Sequence, residues 1–292
     1  MKKTGLKNRI AAAAMAAAMA LSMTLSWIQP VQAADVQMRY VANEDLAPGI
    51  HYSEEDIQGY GSNGDRRIRV NHLTVDPSAE GVEFNSTRAE DTINARENIL
   101  NQAMRDVYQG VNVVASVNAD PYNMDYGLNS GIQVRSGAIV TSQPNNQYTA
   151  DTPVFFVDGE GEPHIDALRA AVDISVGDDY TQTVTNINRS LISSGYDDQT
   201  KVASDTLRIY TSNISSDGMM THPLSSGLSQ KQAYALIRLE NYDGNLYAGT
   251  EFHGTVQAIY DKEGFQIPED CIVLAGNYGD TDGVASLKEG EN

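Results

Sequence analysis

Asn118, Asp120 and Tyr122 alternate within VVASVNADPYNMDYGLNSGIQVRSGAIV, the stretch from Val113 to Val140. An amide, a carboxylate and a phenol spaced two apart suit a site that orients hydroxyl groups, carries a charge and stacks on a ring. Asp120 is the candidate for charge-dependent or acid–base work. Gly131, without a Cβ, lets a backbone N–H approach an anion. Arg135 follows on the next strand, where an arginine is more often a solvated charge. The bland alternative is a loop whose Asn and Asp satisfy turn backbone.

The elements around these residues are expected to hold them stiffly. The β-prone run Val111–Val117 reads as a buried strand that delivers them onto a turn at Pro121, and polar groups released at a strand end are common site positions. A loop with Gly127 and Gly131 follows, then alternating Ile132 and Val134 and a Gly137 turn open a strand region from Ile132 to Val140. Before the run, Leu100, Ala103, Met104 and Val107 fall at helical spacing. They predict a helix over Ala95–Gln109 with its apolar side inward and Asn101, Arg105 and Asp106 outward, closed by Gly110.

The stretch resembles the signature of the phosphodiester glycosidase family, whose animal member uncovers mannose 6-phosphate by removing N-acetylglucosamine. That pattern is an apolar strand, Asn-x-Asp/Gly-Phe-Phe, a short glycine loop, Pro-x-Gly, a strand and Asp-Gly. Asn118, Asp120, Tyr122, Gly127, Gly131 and Gly137 stand in those places, while Pro121, Asn129 and Ser136 depart from it. Weaker matches follow in order: Pro153–Gly159, Thr185-Asn-Ile-Asn188, Leu207–Thr211 and Val273–Gly276. The resemblance runs from about residue 65 to the end. Two segments that close the family's domain, Arg-Thr-Ala-x-Gly and Leu-Asp-Gly-Gly-Gly-Ser, are not in this sequence, so the expectation is the N-terminal portion of such a domain. The resemblance implies hydrolysis of a sugar-1-phosphodiester, with Asp120 catalytic and Asn118, Tyr122, Gly131 and Arg135 binding substrate. The alternative is a non-catalytic secreted protein that binds carbohydrate or another envelope component.

Lys2, Lys3, Lys7 and Arg9, the apolar Ile10–Trp27 and the small-residue site Val31-Gln-Ala33 read as a secretory signal peptide at 1–33, giving a mature start at Ala34 and a secreted or envelope-associated protein. Its removal takes four positive charges and no negative ones, from −19 to −23. So acidic a chain repels nucleic acid, anionic membrane and, at long range, phosphorylated substrates; a glycan or sugar-phosphodiester partner is what the resemblance implies. Any phosphate site must then be local, built from backbone N–H groups and an arginine. Cys271, the single cysteine, lies in the apolar CIVLAG run, where it reads as a core residue; no internal disulfide can form.

Residues 34–64 read as a polar lead with a short edge strand near Leu46–Tyr52. In Arg66–Val75 the apolar parity changes, which predicts a bulge near Asn71 and His72. Further strands are expected at Val154–Val157, Ala170–Val176, Leu207–Thr211, Tyr234–Leu239 and Thr255–Tyr260. Many strands and few helices predict an α+β domain over 65–292 with a mixed or antiparallel sheet. Other motifs carry little. Gly59-x-Gly61-x-x-Gly64 lacks the strand-then-helix context of a dinucleotide site. Asp280, Asp282, Gly283 and Glu289 mimic a calcium loop whose first position is Tyr278. Five scattered histidines form no zinc pair, and no Gly-x-Ser-x-Gly elbow exists. Neither metal nor cofactor is expected.

Overall fold

The computed structural model describes residues 37–60, 66–122, 124, 127–143, 152–177, 180–191, 201–202, 207–220, 232–277 and 283–292. The signal segment, most of the glycine motif at 59–64 and the front of the calcium-like loop lie outside them. The chain divides into two compact units, one up to Asp76 and one from Pro77. It is strand-rich α+β, with one α-helix among the described residues.

The first unit is a three-stranded antiparallel sheet of β1 (Gln37–Ala47), β2 (Ile50–Tyr60) and β3 (Arg66–Val75). The segment read as a polar lead is therefore two long strands. Cross-strand charge pairs explain how so polar a sequence forms a sheet. Asp56, on the central strand, lies opposite Arg39 and Arg69 in the register and bonds the Arg69 and Arg67 side chains. The expected bulge near Asn71 and His72 is absent: the β2–β3 register runs unbroken there and shifts only between Gln58 and Tyr60. The parity change in burial, at Ile68 and Val70 and then Leu73 and Val75, occurs without an inserted residue.

The second unit begins with irregular chain and α1 (Ile99–Tyr108). The helix starts four residues later than expected, because the Asn98 side chain caps it by accepting the Asn101 N–H at 2.8 Å. Gly110, at φ +92°, follows its last turn. Two expectations fail here. Val111–Val117 is not a strand; it has no ladder partner among the described residues, and Val117 is 69% exposed. β-prone residues form a strand only where a partner satisfies the backbone. The helix also leaves most of its apolar stripe outward, with Asn101 exposed as well and Ala103 half-buried. Leu100, Met104 and Val107 face solvent, while Asp106 is buried and Arg105 is held by ion pairs to Asp91 and Glu97. Charge pairing has overridden the apolar stripe.

The region from Ile132 to Val140 is a hairpin, β4 (Gln133–Arg135) and β5 (Ala138–Thr141). Its turn residues Ser136 and Gly137 both have positive φ, 49° and 78°, as a tight type I′ turn requires. Three small antiparallel or parallel pairs follow: β6 (Val154–Val157) with β7 (Pro163–Asp166), β8 (Val172–Val176) with β9 (Tyr180–Val184), and, beyond β10 (Asn186–Ile187), β11 (Ser190–Leu191) with β12 (Lys201–Val202). Next come β13 (Arg208–Thr211), β14 (Met219–Met220), β15 (Gln232–Leu239), β16 (Leu246–Tyr247), β17 (Gly254–Tyr260), β18 (Phe265–Gln266) and β19 (Cys271–Asn277).

The central sheet has the order β10-β13-β19-β15-β17, parallel between β10 and β13 and antiparallel elsewhere. Alternation along β15 and β19 feeds two cores, one on each face. Ala233, Ala235, Ile237, Ile272 and Leu274 join Val184, Ile187 and Ile209 in one. Tyr234, Leu236, Cys271, Val273 and Ala275 join Tyr210, Ile214 and Met220 in the other. A sheet covered on both sides explains the nearly unbroken apolar runs of these strands. Cys271 is the buried core residue expected, 1% exposed.

Candidate functional site

The loop that carries Asp120 is closed on itself. Tyr122 and Asn129 form an antiparallel bridge, the Ser130 N–H donates to the Pro121 carbonyl at 2.8 Å, and the Gly131 N–H donates to Asp120 Oδ2 at 2.5 Å. Gly131 does present its N–H to an anion, and that anion is the Asp120 carboxylate. A Cβ at Gly131 would stand 3.3 Å from Asp120 Oδ2. Gly127, at φ +84°, brings the loop so near residue 95 that a Cβ would meet the Ala95 carbonyl oxygen at 1.9 Å. On the other side, the Arg96 side chain donates to the Met124 carbonyl.

Beneath the loop lies a residue absent from the sequence reading. Arg189 is fully buried and spends its guanidinium on backbone carbonyls: Nε–H on Ser142, Nη1–H on Asn129 at 2.5 Å, and Nη2–H on Gly131. Among the described residues it makes no ion pair with a carboxylate. Burial pushes its pKa down to about 9, with the Asp120 charge acting the other way, so it stays cationic at neutral pH. Three carbonyl dipoles and one nearby carboxylate therefore replace its lost water.

The next residue inward fixes Arg189. Asn188 adopts the left-handed conformation, φ +55°, donates Nδ2–H to the Val140 carbonyl at 2.8 Å, and accepts the Thr211 N–H at 2.9 Å. The Ile187 N–H donates to Ser142 Oγ, and the buried Tyr210 hydroxyl donates to the Arg189 carbonyl at 2.8 Å. β5, β10 and β13 thus lock Arg189 from three sides. The Thr185–Asn188 and Leu207–Thr211 matches lie on these elements. The available signal was a lone arginine at the end of an otherwise apolar or amide-bearing run.

Asn118 is exposed and Tyr122 is 49% exposed, both on the solvent side of the loop. Asn129, one of the departures from the family pattern, donates to the Gly131 carbonyl at 2.8 Å and accepts from Thr141 Oγ1 at 3.2 Å. Arg135 belongs to another cluster. Its guanidinium stands 3.7 Å from Asp91 and 3.9 Å from Asp106. A shallow pocket in the first unit, lined by Asp45, His51 and Asp76 among others, holds no candidate residue. Among the described residues no cluster of His, Cys, Asp and Glu could hold a metal ion, and no helix is long and apolar enough to cross a membrane.

No protein-family model matches this chain, and no curated protein matches it. Two solved structures share the fold of a strand-rich α+β protein. A candidate exported protein from Burkholderia pseudomallei K96243 superimposes with a TM-score of 0.60 at 11% identity, covering 91% of this chain and 69% of its own. A hypothetical protein from Synechocystis gives 0.57 at 14%, covering 89% of this chain and 44% of its own. The chain thus spans less than half the length of the second. At these identities the likeness shows the fold alone.

Proposed function

We propose that this chain is an exported hydrolase of sugar-1-phosphodiesters, with Asp120 as its carboxylate. The observation that carries the reading is an exposed aspartate on a glycine loop held from below by the buried cation Arg189. The ordered resemblance of Asn118, Asp120, Gly131 and the later stretches supports it. Export is supported by the charged and apolar segment before Ala34, and the Burkholderia neighbour is itself described as exported.

In this reading water attacks the anomeric carbon while Asp120 takes its proton. The bond between that carbon and the bridging oxygen breaks, and the phosphate monoester departs with the oxygen. Phosphate leaves readily, so stabilising its charge matters more than donating a proton to it. Arg189 contributes by its field and by holding the Asn129 and Gly131 carbonyls. Asn118 and Tyr122 face the sugar.

A second reading follows from one bond. Gly131 already engages an Asp120 oxygen, and a carboxylate used as a loop clamp suits a binding protein without chemistry. Release of a chromogenic aglycone from N-acetylglucosamine-1-phosphodiester separates the two. Turnover that falls about a hundredfold or more in Asp120→Asn, with the fold retained, supports hydrolysis. Saturable binding of the same compound without turnover supports the binding protein.

A further inference from the structure

The sheet of the first unit ends in two strand edges. β1 and β3 flank β2, and neither pairs with a further strand among the described residues. Such an edge presents a row of N–H and C=O groups that another strand can take up. Both edges face solvent. Met38, Tyr40 and Val41 are large apolar side chains exposed on β1, and Arg66, Arg67 and Arg69 are exposed on β3.

The two edges differ in charge. β3 carries its three arginines at its start and no acid along its length. β1 carries Arg39 near its start and Glu44 and Asp45 near its end. Arg67 and Arg69 also reach Asp56 and Glu54 on β2, whereas Arg66 and Glu44 have no ion-pair partner among the described residues. Charge on an edge ordinarily keeps copies of a chain apart. Opposite charge on the two edges of one sheet still sets β3 against β3, but it draws β3 to β1.

We propose that a second copy of this chain adds its β1 to β3, antiparallel. In that direction its Glu44 and Asp45 lie beside Arg66, Arg67 and Arg69, and its Met38, Tyr40 and Val41 lie beside Leu73 and Val75. Parallel addition would bring Arg39 to the arginines and the two acids to the apolar end. Along β3 the register with β2 is unbroken from Arg67 to Val75, so that edge is regular. Val41 is an extra residue in β1 between the paired Tyr40 and Ala42. It divides the added ladder into two short runs and makes the contact a weak one. The two surfaces are unlike, so each copy keeps one edge open and association runs on past a pair. The contact does not rest on the hydrolase reading.

Sedimentation of the whole protein over a range of concentrations tests this, in salt that screens its net charge beyond about 8 Å and leaves close ion pairs. The average mass should rise with concentration past that of two copies. Arg66→Glu and Glu44→Arg should each weaken association roughly tenfold, the swing from an attractive to a repulsive cross-strand pair. An equimolar mixture of the two variants should recover it, because each reversed charge then meets an opposite one. Arg66→Glu decides the matter if Glu44→Arg does not fold. A mass that stays at one copy, a plateau at two, unchanged association in a folded variant, or a mixture that associates no better than its parts overturns the proposal.

Discussion

Gly127 and Gly131 lie in one loop yet answer to different constraints. At Gly127 a methyl group would enter the van der Waals radius of a backbone oxygen, 1.9 Å away, at a φ of +84° that side chains avoid. Backbone cannot yield as a side chain can, so Gly127→Ala should destabilise the second unit by roughly 2–4 kcal/mol, read as a lower denaturation midpoint. At Gly131 the neighbour is the Asp120 carboxylate at 3.3 Å, a side chain able to give by a few tenths of an ångström. Gly131→Ala should therefore leave stability within about 1 kcal/mol while altering the geometry of Asp120. Equal losses in the two variants would contradict this assignment of constraints. Cys271 gives a second residue-scale expectation. Burial, followed by the hydrogen bond and charge of Asp270, pushes its thiol up to about 11. A thiol-reactive dye at neutral pH should label it only when the protein unfolds, because the thiolate is the nucleophile. The residue types of the loop were legible in the sequence because turn chemistry and site chemistry draw on the same Asn, Asp and Gly. Arg189 was not, since a lone arginine after Thr185-Asn-Ile-Asn188 marks the position without telling a buried side chain bonded to carbonyls from a solvated one.

At the scale of elements, apolar strands with partners were legible, whereas the polar paired strands β1 and β2 and the partnerless Val111–Val117 were misread. Val154–Val157 was read as it stands, while Tyr234–Leu239 and Thr255–Tyr260 fell short of the strands by two residues and one at the N-terminal end. The last two alternate because two cores claim the two faces of their sheet. Val111–Val117 has the same composition but no neighbour among the described residues, and composition cannot reveal a missing partner. The helix failed differently. Its position could be read from spacing, but its orientation depended on Asp91 and Glu97, residues outside the helix that capture Arg105. With most of the apolar stripe outward, Leu100→Gln should change stability by less than about 0.5 kcal/mol, because the side chain is 65% exposed. An inward-facing leucine would cost roughly 2–5 kcal/mol on truncation. Asn98→Ala, which removes the helix cap, should cost about 1 kcal/mol. Urea titration of both variants orders the effects. A larger loss at Leu100 than at Asn98 would restore the apolar-inward helix.

For the whole molecule the dominant quantity is its acidity, and two opposing effects follow from it. A net charge of −19 favours expansion by self-repulsion at neutral pH, and acidification relieves it. Against this stand carboxylates that the fold holds below their usual range in both units. Hydrogen bonds from Arg67 and then Arg69 depress Asp56. His164 and the N–H groups of Glu162 and Glu160 do so for Asp158, the Met219 N–H and Ser215 hydroxyl for Asp217, and the Tyr247 hydroxyl most of all for Asp243. Glu97 is lowered too, because the Glu90 N–H and Arg105 together outweigh its desolvation. A carboxylate with a lower pKa folded than unfolded gives stability that is present above the unfolded value, about 4, and lost as pH falls through the folded value. Few carboxylates change protonation between pH 7 and 5, so both effects are nearly constant there. Below pH 4 the bonded carboxylates lose specific partners, whereas relief of repulsion is diffuse and screened by salt. Denaturant midpoints should therefore stay level from pH 7 to 5 and fall steeply between about 4 and 2. Asp56→Asn should flatten the fall for the first unit alone, since its other named contributors lie beyond Asp76. Midpoints that rise continuously down to pH 3 would show that charge repulsion, and not the bonded carboxylates, governs the acid limb.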